Sequence, residues 1–443
     1  MNILVIGSGA REHALVWKLR QSPEARSVYC SPGNAGIGLL ATLLPACAEN
    51  DWDSYADLAL SRKIDLTVVG PEVPLAGGIA DAFRKRGLRI FGPDKASAQL
   101  EGSKIFSKNF MRRHGIPTAD FQSFDDASVA LDFISNSRHR ASNSRFVVKA
   151  DGLAAGKGVI VCENTDEANG AVEKMLVRKA FGRAGEKILI EEKLSGEELS
   201  LMAFCDGKTI KPLPFAKDYK RVFDNNEGPN TGGMGAIAPC VVSEKTARAI
   251  EQKILKPFLN GIARENLDYR GIIYFGLMLT KDGPYALEFN ARFGDPETQV
   301  VLPLLKSDLL KVFNSVADRS LNEASLEFVP EFSMGVVCAS RGYPGKFEAH
   351  KVISGLESAV SAGRRNDTFI FHAATSGEDG KFYTGGGRVL NVVSKGKSME
   401  EAKTRCYQTI QKIGFEGMHY RSDIGASNSP AQSPDSLAAR NNS

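Results

Sequence analysis

A chain of 443 residues, 42% hydrophobic and 24% charged, has room for about three domains with buried cores and is not globally disordered. Its 56 Lys and Arg against 52 Asp and Glu leave a net charge of +4, too small an excess for a general nucleic-acid or membrane-surface binder. The 7 Cys are scattered with no CxxC pair, which argues against a disulfide framework or a zinc site and fits a reducing cytoplasm.

The opening MNILVIGSG lacks the regions of a signal peptide and reads as a first strand over 3–6, apolar on both faces. Helical spacing follows over 12–19, then a strand near Val28 and a turn at Ser31-Pro32-Gly33-Asn34. A helix from Asp53 leads to the strand Leu66–Val69, closed by Gly70-Pro71. A helix over 75–86 leads to a strand at 89–91 and to Gly92-Pro93. These units predict a doubly wound parallel sheet, whose ligands sit at the carboxyl ends of its strands. After Ser103 come a helix carrying Lys104 and, past Gly115-Ile116-Pro117, a small α/β region to about Glu192. Its polar, basic stretch 135–144 reads as an exposed loop. Beyond Glu197, strand-like runs alternate with Gly-rich loops, followed by a long helix over about 243–265 and strands at 271–280 and 284–290. The apolar run at 271–279 falls short of the ~18 residues of a membrane span. A final α+β segment over about 333–412 precedes a Ser/Asn/Pro-rich tail that reads as disordered.

Gly7-Ser8-Gly9-Ala10-Arg11-Glu12 follows a strand and opens a helix, where backbone N–H groups can hold a phosphate. A dinucleotide fingerprint needs Gly where Glu12 stands and an acid near Tyr29-Cys30-Ser31, so this is a turn for another phosphate or merely a tight turn. Glu72, at a strand end, suits sugar hydroxyls or, equally, a helix dipole. A strand ending in Lys149 runs into a loop with Gly152, Gly156, Lys157 and Gly158. Glycines admit phosphate oxygens to the backbone and lysines neutralise them. Glu191-Glu192-Lys193-Leu194, with Glu198, is by itself a charged strand end. The segments 218–221 and 228–235 are dense in turn formers and read as a binding loop. Glu288 and Asn290 alternate with apolar neighbours and so share one strand face, a pair of oxygen ligands suited to Mg²⁺ carried with a polyphosphate. Arg292, just beyond, suits charge on a transferring phosphoryl group. No Gly-x-Ser-x-Gly elbow or Cys/His nucleophile pairing stands out.

In order along the chain, GSGAREHAL, SPGNAG, VGPEVPL, FGPDKASAQLEGSK, VVKADGLAAGKGV, GPNTGGMGA, EFNARFGDPETQ, SRGYPG and TGGGRVL resemble the ATP-grasp ligases, and among them the phosphoribosylamine–glycine ligase family, over about residues 1–424. The resemblance implies a multidomain α/β and α+β fold. An N-terminal doubly wound domain would span 1–103, a two-lobed ATP-grasp module 104–325 with its small lobe at about 118–192, a C-terminal α+β domain 326–424, and a disordered tail 425–443. It implies that Lys104 and Lys149 contact ATP phosphates under a lid over 151–158. Glu191, with the backbone of Glu192, Lys193 and Leu194, would read adenine, and Glu198 the ribose. Glu288 and Asn290 would hold Mg²⁺ or Mn²⁺, with Arg292 and Lys149 at the phosphoryl-transfer centre. Gly9, Arg11, Asn34 and Glu72 would face 5-phosphoribosylamine and Arg388 its 5-phosphate, with Asp218, Arg292 and Asp295 about the glycine. The implied reaction makes glycyl phosphate from glycine and ATP, which the amine then captures. The implied setting is a monofunctional cytoplasmic monomer that binds neither nucleic acid nor membrane and meets the enzyme supplying phosphoribosylamine only transiently. Three features depart from the family pattern: Tyr219 stands where His is expected, 135–144 is longer than usual, and the strand reading GLMLT lacks a second metal-binding carboxylate.

Overall fold

The first strand, Asn2–Gly7, splits its apolar run between two cores: Ile3 and Val5 pack with Leu15 and Leu19, whereas Leu4 and Ile6 pack with Tyr55 and Phe83. A strand buried on both faces needs helices on both, which is the doubly wound arrangement expected. This computed structural model describes residues 1–136, 145–153, 158–357, 359 and 367–426. Gly156, Lys157, most of the expected loop 135–144 and the tail beyond Ala426 lie outside the described residues.

Asn2–Gly7 pairs in parallel with Ser27–Pro32 on one side and Leu66–Val69 on the other. Thr42–Leu43 and Ile90–Phe91 complete a five-stranded parallel sheet. The winding reverses at the central strand, so the turns after Gly7 and Val69 open side by side. The helix expected over 75–86 is two helices, Glu72–Gly77 and Ile79–Lys85, because Gly78 takes a left-handed φ of 97° between them. A further helix that pattern reading left out, Lys95–Gly102, is capped by Asp94 and leads directly into Lys104–Arg113, capped by Ser103.

A small antiparallel sheet orders its strands Phe121–Phe124, Ile188–Glu192, Phe146–Ala150 and Val159–Cys162. A second orders Ile210–Pro212, Glu197–Cys205, Gly271–Thr280 and Gly283–Asn290, backed by one helical run over 244–264. Phe332–Ser340 and Arg388–Gly396 form the heart of the last large sheet. Two earlier segments, Lys217–Asp218 and Gly235–Ala238, join this sheet rather than the one that precedes them in sequence. Among the described residues, no helix is long and apolar enough to cross a membrane.

The first and last sheets are stitched together by polar contacts. Asn34 Nδ2 donates to Ser8 O and His372 O at 2.8 Å, and His372 N donates to His13 Nδ1 at 2.8 Å. That second bond requires a neutral His13, and burial pushes the imidazoles of His13 and His372 down to about 3 and about 4. Both folded-state values lie below the ordinary 6.5, so as pH falls the unfolded chain takes up protons first and stability is lost from about pH 6.5 downward. Unfolding titrations at pH 7 and pH 5 should differ by about 2 kcal/mol per ring, and replacing both rings by glutamine should flatten that slope.

Candidate active site

A cavity of 490 Å³ opens where the N-terminal parallel sheet, the small antiparallel sheet and the strand Gly283–Asn290 converge. Its lysine-rich end is built on a buried carboxylate. Glu191 lies between Lys108 Nζ at 3.1 Å and Lys149 Nζ at 3.0 Å, with its side chain 2% exposed. Lys108 also donates to Thr118 Oγ1 at 2.6 Å, and burial pushes its ammonium down to about 8 against the pull of Glu191. Lys104 Nζ donates to Gly152 O at 2.9 Å, at the root of the loop over 151–158. Asp151 anchors that root by accepting from Ser103 Oγ and Ile105 N, both at 3.0 Å. Burial lowers the Lys104 pKa, with Lys149 adding to the effect and Glu288 opposing it.

Glu288, Phe289 and Asn290 all border the cavity, but Phe289 is buried in a core cluster, as strand alternation expects for the residue between two site-facing ones. Burial opposes ionisation of Glu288, but Lys220, Lys149, Lys104 and Arg292 together hold its carboxyl below the usual range. Among the described residues neither side chain makes a hydrogen bond, so their oxygens are available to a ligand. No cluster of three or more His, Cys, Asp or Glu able to hold a metal ion occurs among the described residues. A carboxylate and an amide oxygen on one strand face suit a hard divalent cation that completes its shell with phosphate and water.

Arg292 enters from the end of that strand. Its Nε lies 3.0 Å from Glu101 Oε1 and 3.5 Å from Glu72 Oε2. Burial opposes the guanidinium charge, but the surrounding carboxylates, Glu101 first, raise its pKa above the ordinary value. Burial pushes the Glu101 carboxyl up to about 7 despite Arg292. The turn after Gly7 is filled by the chain's own acid: Gly9 N donates to Glu12 Oε2 and Arg11 Nε to Glu12 Oε1, both at 2.6 Å. A carboxylate on these amides repels the pyrophosphate of a nicotinamide dinucleotide. On the far wall Arg388 Nη2 meets Asp295 Oδ2 at 2.7 Å, and Nη1 donates to Asp295 O at 3.2 Å and to Gly232 O.

Three family models cover the chain in the same order as these parts. They are the phosphoribosylglycinamide synthetase N domain over residues 1–101, its ATP-grasp (A) domain over 102–298 and its C domain over 333–427. A phosphoribosylamine–glycine ligase from Caldanaerobacter subterraneus subsp. tengcongensis is 46% identical over 427 residues, covering 96% of this chain and 100% of that protein. The chain belongs to the phosphoribosylamine–glycine ligase family. The crystal structure of that ligase from Thermotoga maritima superposes with a TM-score of 0.82 at 34% identity, covering 96% of this chain and 100% of the other. In Gallus gallus, a trifunctional purine biosynthetic protein is 47% identical over 426 residues; these are 96% of this chain but 42% of that protein. A biotin carboxylase domain from Hydrogenobacter thermophilus, 17% identical with a TM-score of 0.69 and coverage of 95% and 91%, shares the fold.

Within this member of the ligase family, the cavity brings together Gly9, Arg11, Glu72, Lys104, Lys149, Gly152, Gly158, Glu191, Glu288, Asn290, Arg292, Asp295 and Arg388. It is not lined by Asn34, Glu192, Lys193, Leu194, Glu198 or Asp218. Asn34 is occupied by backbone: besides its donor bonds, Oδ1 accepts from Ile37 N at 2.9 Å. Glu198 pairs with Lys220 at 2.8 Å. Behind the wall at Gly233, Asp218 Oδ1 has no hydrogen-bond partner among the described residues, and burial and Glu297 push its carboxyl well above the ordinary range. Tyr219 belongs to the C-terminal core, where its hydroxyl accepts from Gly425 N at 3.3 Å.

Sequence reading singled out neither Lys108 nor Glu101. Lys108 carried a signal, since it stands four residues after Lys104 and so shares its helix face. Glu101 carried none, because its partners are about 190 positions away.

Proposed function

We propose that the chain joins glycine to 5-phosphoribosylamine, converting ATP to ADP and phosphate by way of glycyl phosphate. The observation that carries this reading is Arg292. It stands in one cavity with Lys104, Lys149, Glu288 and Asn290 on the phosphate-facing side and with Glu72 and Glu12 on the sheet side. Lys104 and Lys149 would neutralise the triphosphate; of the lid expected over 151–158, residues 154–157 lie outside the described residues. Mg²⁺ held by Glu288 and Asn290 would draw negative charge from the phosphates. Glycine's carboxylate oxygen attacks the γ-phosphorus and ADP leaves; the phosphoribosylamine nitrogen then attacks the glycyl carbonyl, phosphate leaves, and the nitrogen loses a proton. Arg292 would steady the equatorial charge in the first step, where positioning and charge matter more than a covalent nucleophile. Adenine is expected against the backbone of 192–194 and the ribose near Glu198. Asp218, Asp295 and Arg388 would shape the glycine and phosphate ends, in a cytoplasmic enzyme acting on small molecules.

The test is ADP release from Mg-ATP with glycine, with and without phosphoribosylamine formed in situ from ribose 5-phosphate and ammonia. ADP that needs both partners, with a matching ribonucleotide product, is expected. ADP formed with a different carboxylic acid would overturn the substrate assignment.

A further inference from the structure

We infer that Glu101 is the positioning residue that aims Arg292 into the phosphoryl-transfer centre, an inference that rests on the reaction proposed above. Glu101 closes the helix Lys95–Gly102. Its Oε2 accepts the Ala291 N–H at 2.8 Å and its Oε1 lies 3.0 Å from Arg292 Nε. One side chain therefore grips both the backbone and the guanidinium of the turn that follows Asn290. Arg292 Nη1 donates to Phe293 O at 3.1 Å, whereas Nε is buried without a hydrogen-bond partner among the described residues and is held by charge alone, that of Glu101 closest. Nη2 likewise makes no hydrogen bond to a described residue, and Arg292 lines the cavity, so the guanidinium keeps donor capacity for an anionic oxygen there.

Glu72 approaches the same Nε at 3.5 Å, but its side chain is 26% exposed and that of Glu101 only 7%. The closer and drier carboxylate dominates the orientation, because an ion pair strengthens as water is excluded. Glu72 remains more open to a substrate on the sheet side. A long side chain such as arginine samples many rotamers unless held, and an error of about 1 Å at a reacting centre costs about a hundredfold in rate. An ion pair at Nε narrows that freedom without using Nη2.

The full chain carrying E101Q, E101D, R292K or E101Q together with R292K should be compared by steady-state ADP release. E101Q keeps the shape and can still accept from Ala291 N, so the fold should persist. Its kcat should fall about 10–100-fold while the KM for ATP stays within about threefold. E101D, which keeps the charge on a shorter stem, should recover part of the loss. The double variant should be no slower than R292K alone, because Glu101 acts through Arg292. The inference is overturned if E101Q keeps kcat within about twofold of the wild type, or if the two losses multiply. It is equally overturned if the only change is a lower melting temperature. Should E101Q fail to fold, E101D with and without R292K gives the same non-additivity test. Wild-type protein that forms ADP only with another carboxylic acid overturns the substrate assignment, and the same variants then test Glu101 on that acid. Wild-type protein that forms no ADP in any mixture overturns both.

Discussion

Replacing Arg292 by alanine is expected to lower kcat for ADP formation by about two to three orders of magnitude, with the KM for ATP within about threefold. The Arg292 side chain is only 20% exposed, its Nε lies 3.0 Å from Glu101, and of its nitrogens only Nη1 makes a hydrogen bond to a described residue. A charge held in such a site acts mainly on the transition state, where negative charge spreads over the transferring group. The variant should still fold. Glu101 loses its cation, but its carboxyl already sits at about 7 and can take up a proton in place of the lost ion pair. Steady-state and single-turnover ADP release on the folded variant decide the matter. A variant retaining more than about a tenth of the wild-type kcat would remove Arg292 from the phosphoryl-transfer centre.

Replacing Glu191 by glutamine should instead appear first in stability, at about 3 kcal/mol or more. Its carboxylate is the shared counter-ion of Lys108 and Lys149, whose side chains are 2% and 7% exposed. Removing one member of a buried ion cluster leaves the others desolvated and unpaired, which costs more than the intact cluster contributes. Lys108, already pushed down to about 8, is expected to lose its proton and so soften the blow. Lys149, proposed above to contact the ATP phosphates, then lacks the carboxylate that holds it, so kcat should fall as well. Denaturant unfolding of the two proteins checks the first effect. If the Glu191 side chain served only to read adenine, the variant would unfold within about 0.5 kcal/mol of the parent and change mainly the KM for ATP.

These two residues show what is legible in a sequence. Arg292, Glu288 and Asn290 sit within five positions on one strand and its exit, so alternation alone places them on one face. Glu191 was equally visible as a residue, but its partners come from a helix and a different strand, and only packing shows that its carboxylate faces two lysines. The parallel sheet was readable because a run such as Leu-Val-Ile with no polar interruption has few other homes. The break at Gly78 and the helix Lys95–Gly102 were not readable. The first depends on one left-handed residue inside a helical pattern, and the second on a cap with weak apolar spacing around it. Nor did spacing foretell that Lys217–Asp218 and Gly235–Ala238 would cross to the last large sheet. Register between distant segments is chosen by which faces must be buried, and local pattern does not record it.

His13 and His372 meet across 359 positions, and Arg388 closes the wall beside Gly232 and Asp295. Seen from the ribosome, a growing chain that has emerged through Arg292 already carries the cavity residues Lys104, Lys149, Glu288 and Asn290, and the N-terminal sheet can form as soon as its five strands are out. The far wall and the seam that secures that sheet must await the final quarter of synthesis. Completion of the cavity would thus come last, after the strand and the lysines that line its other side.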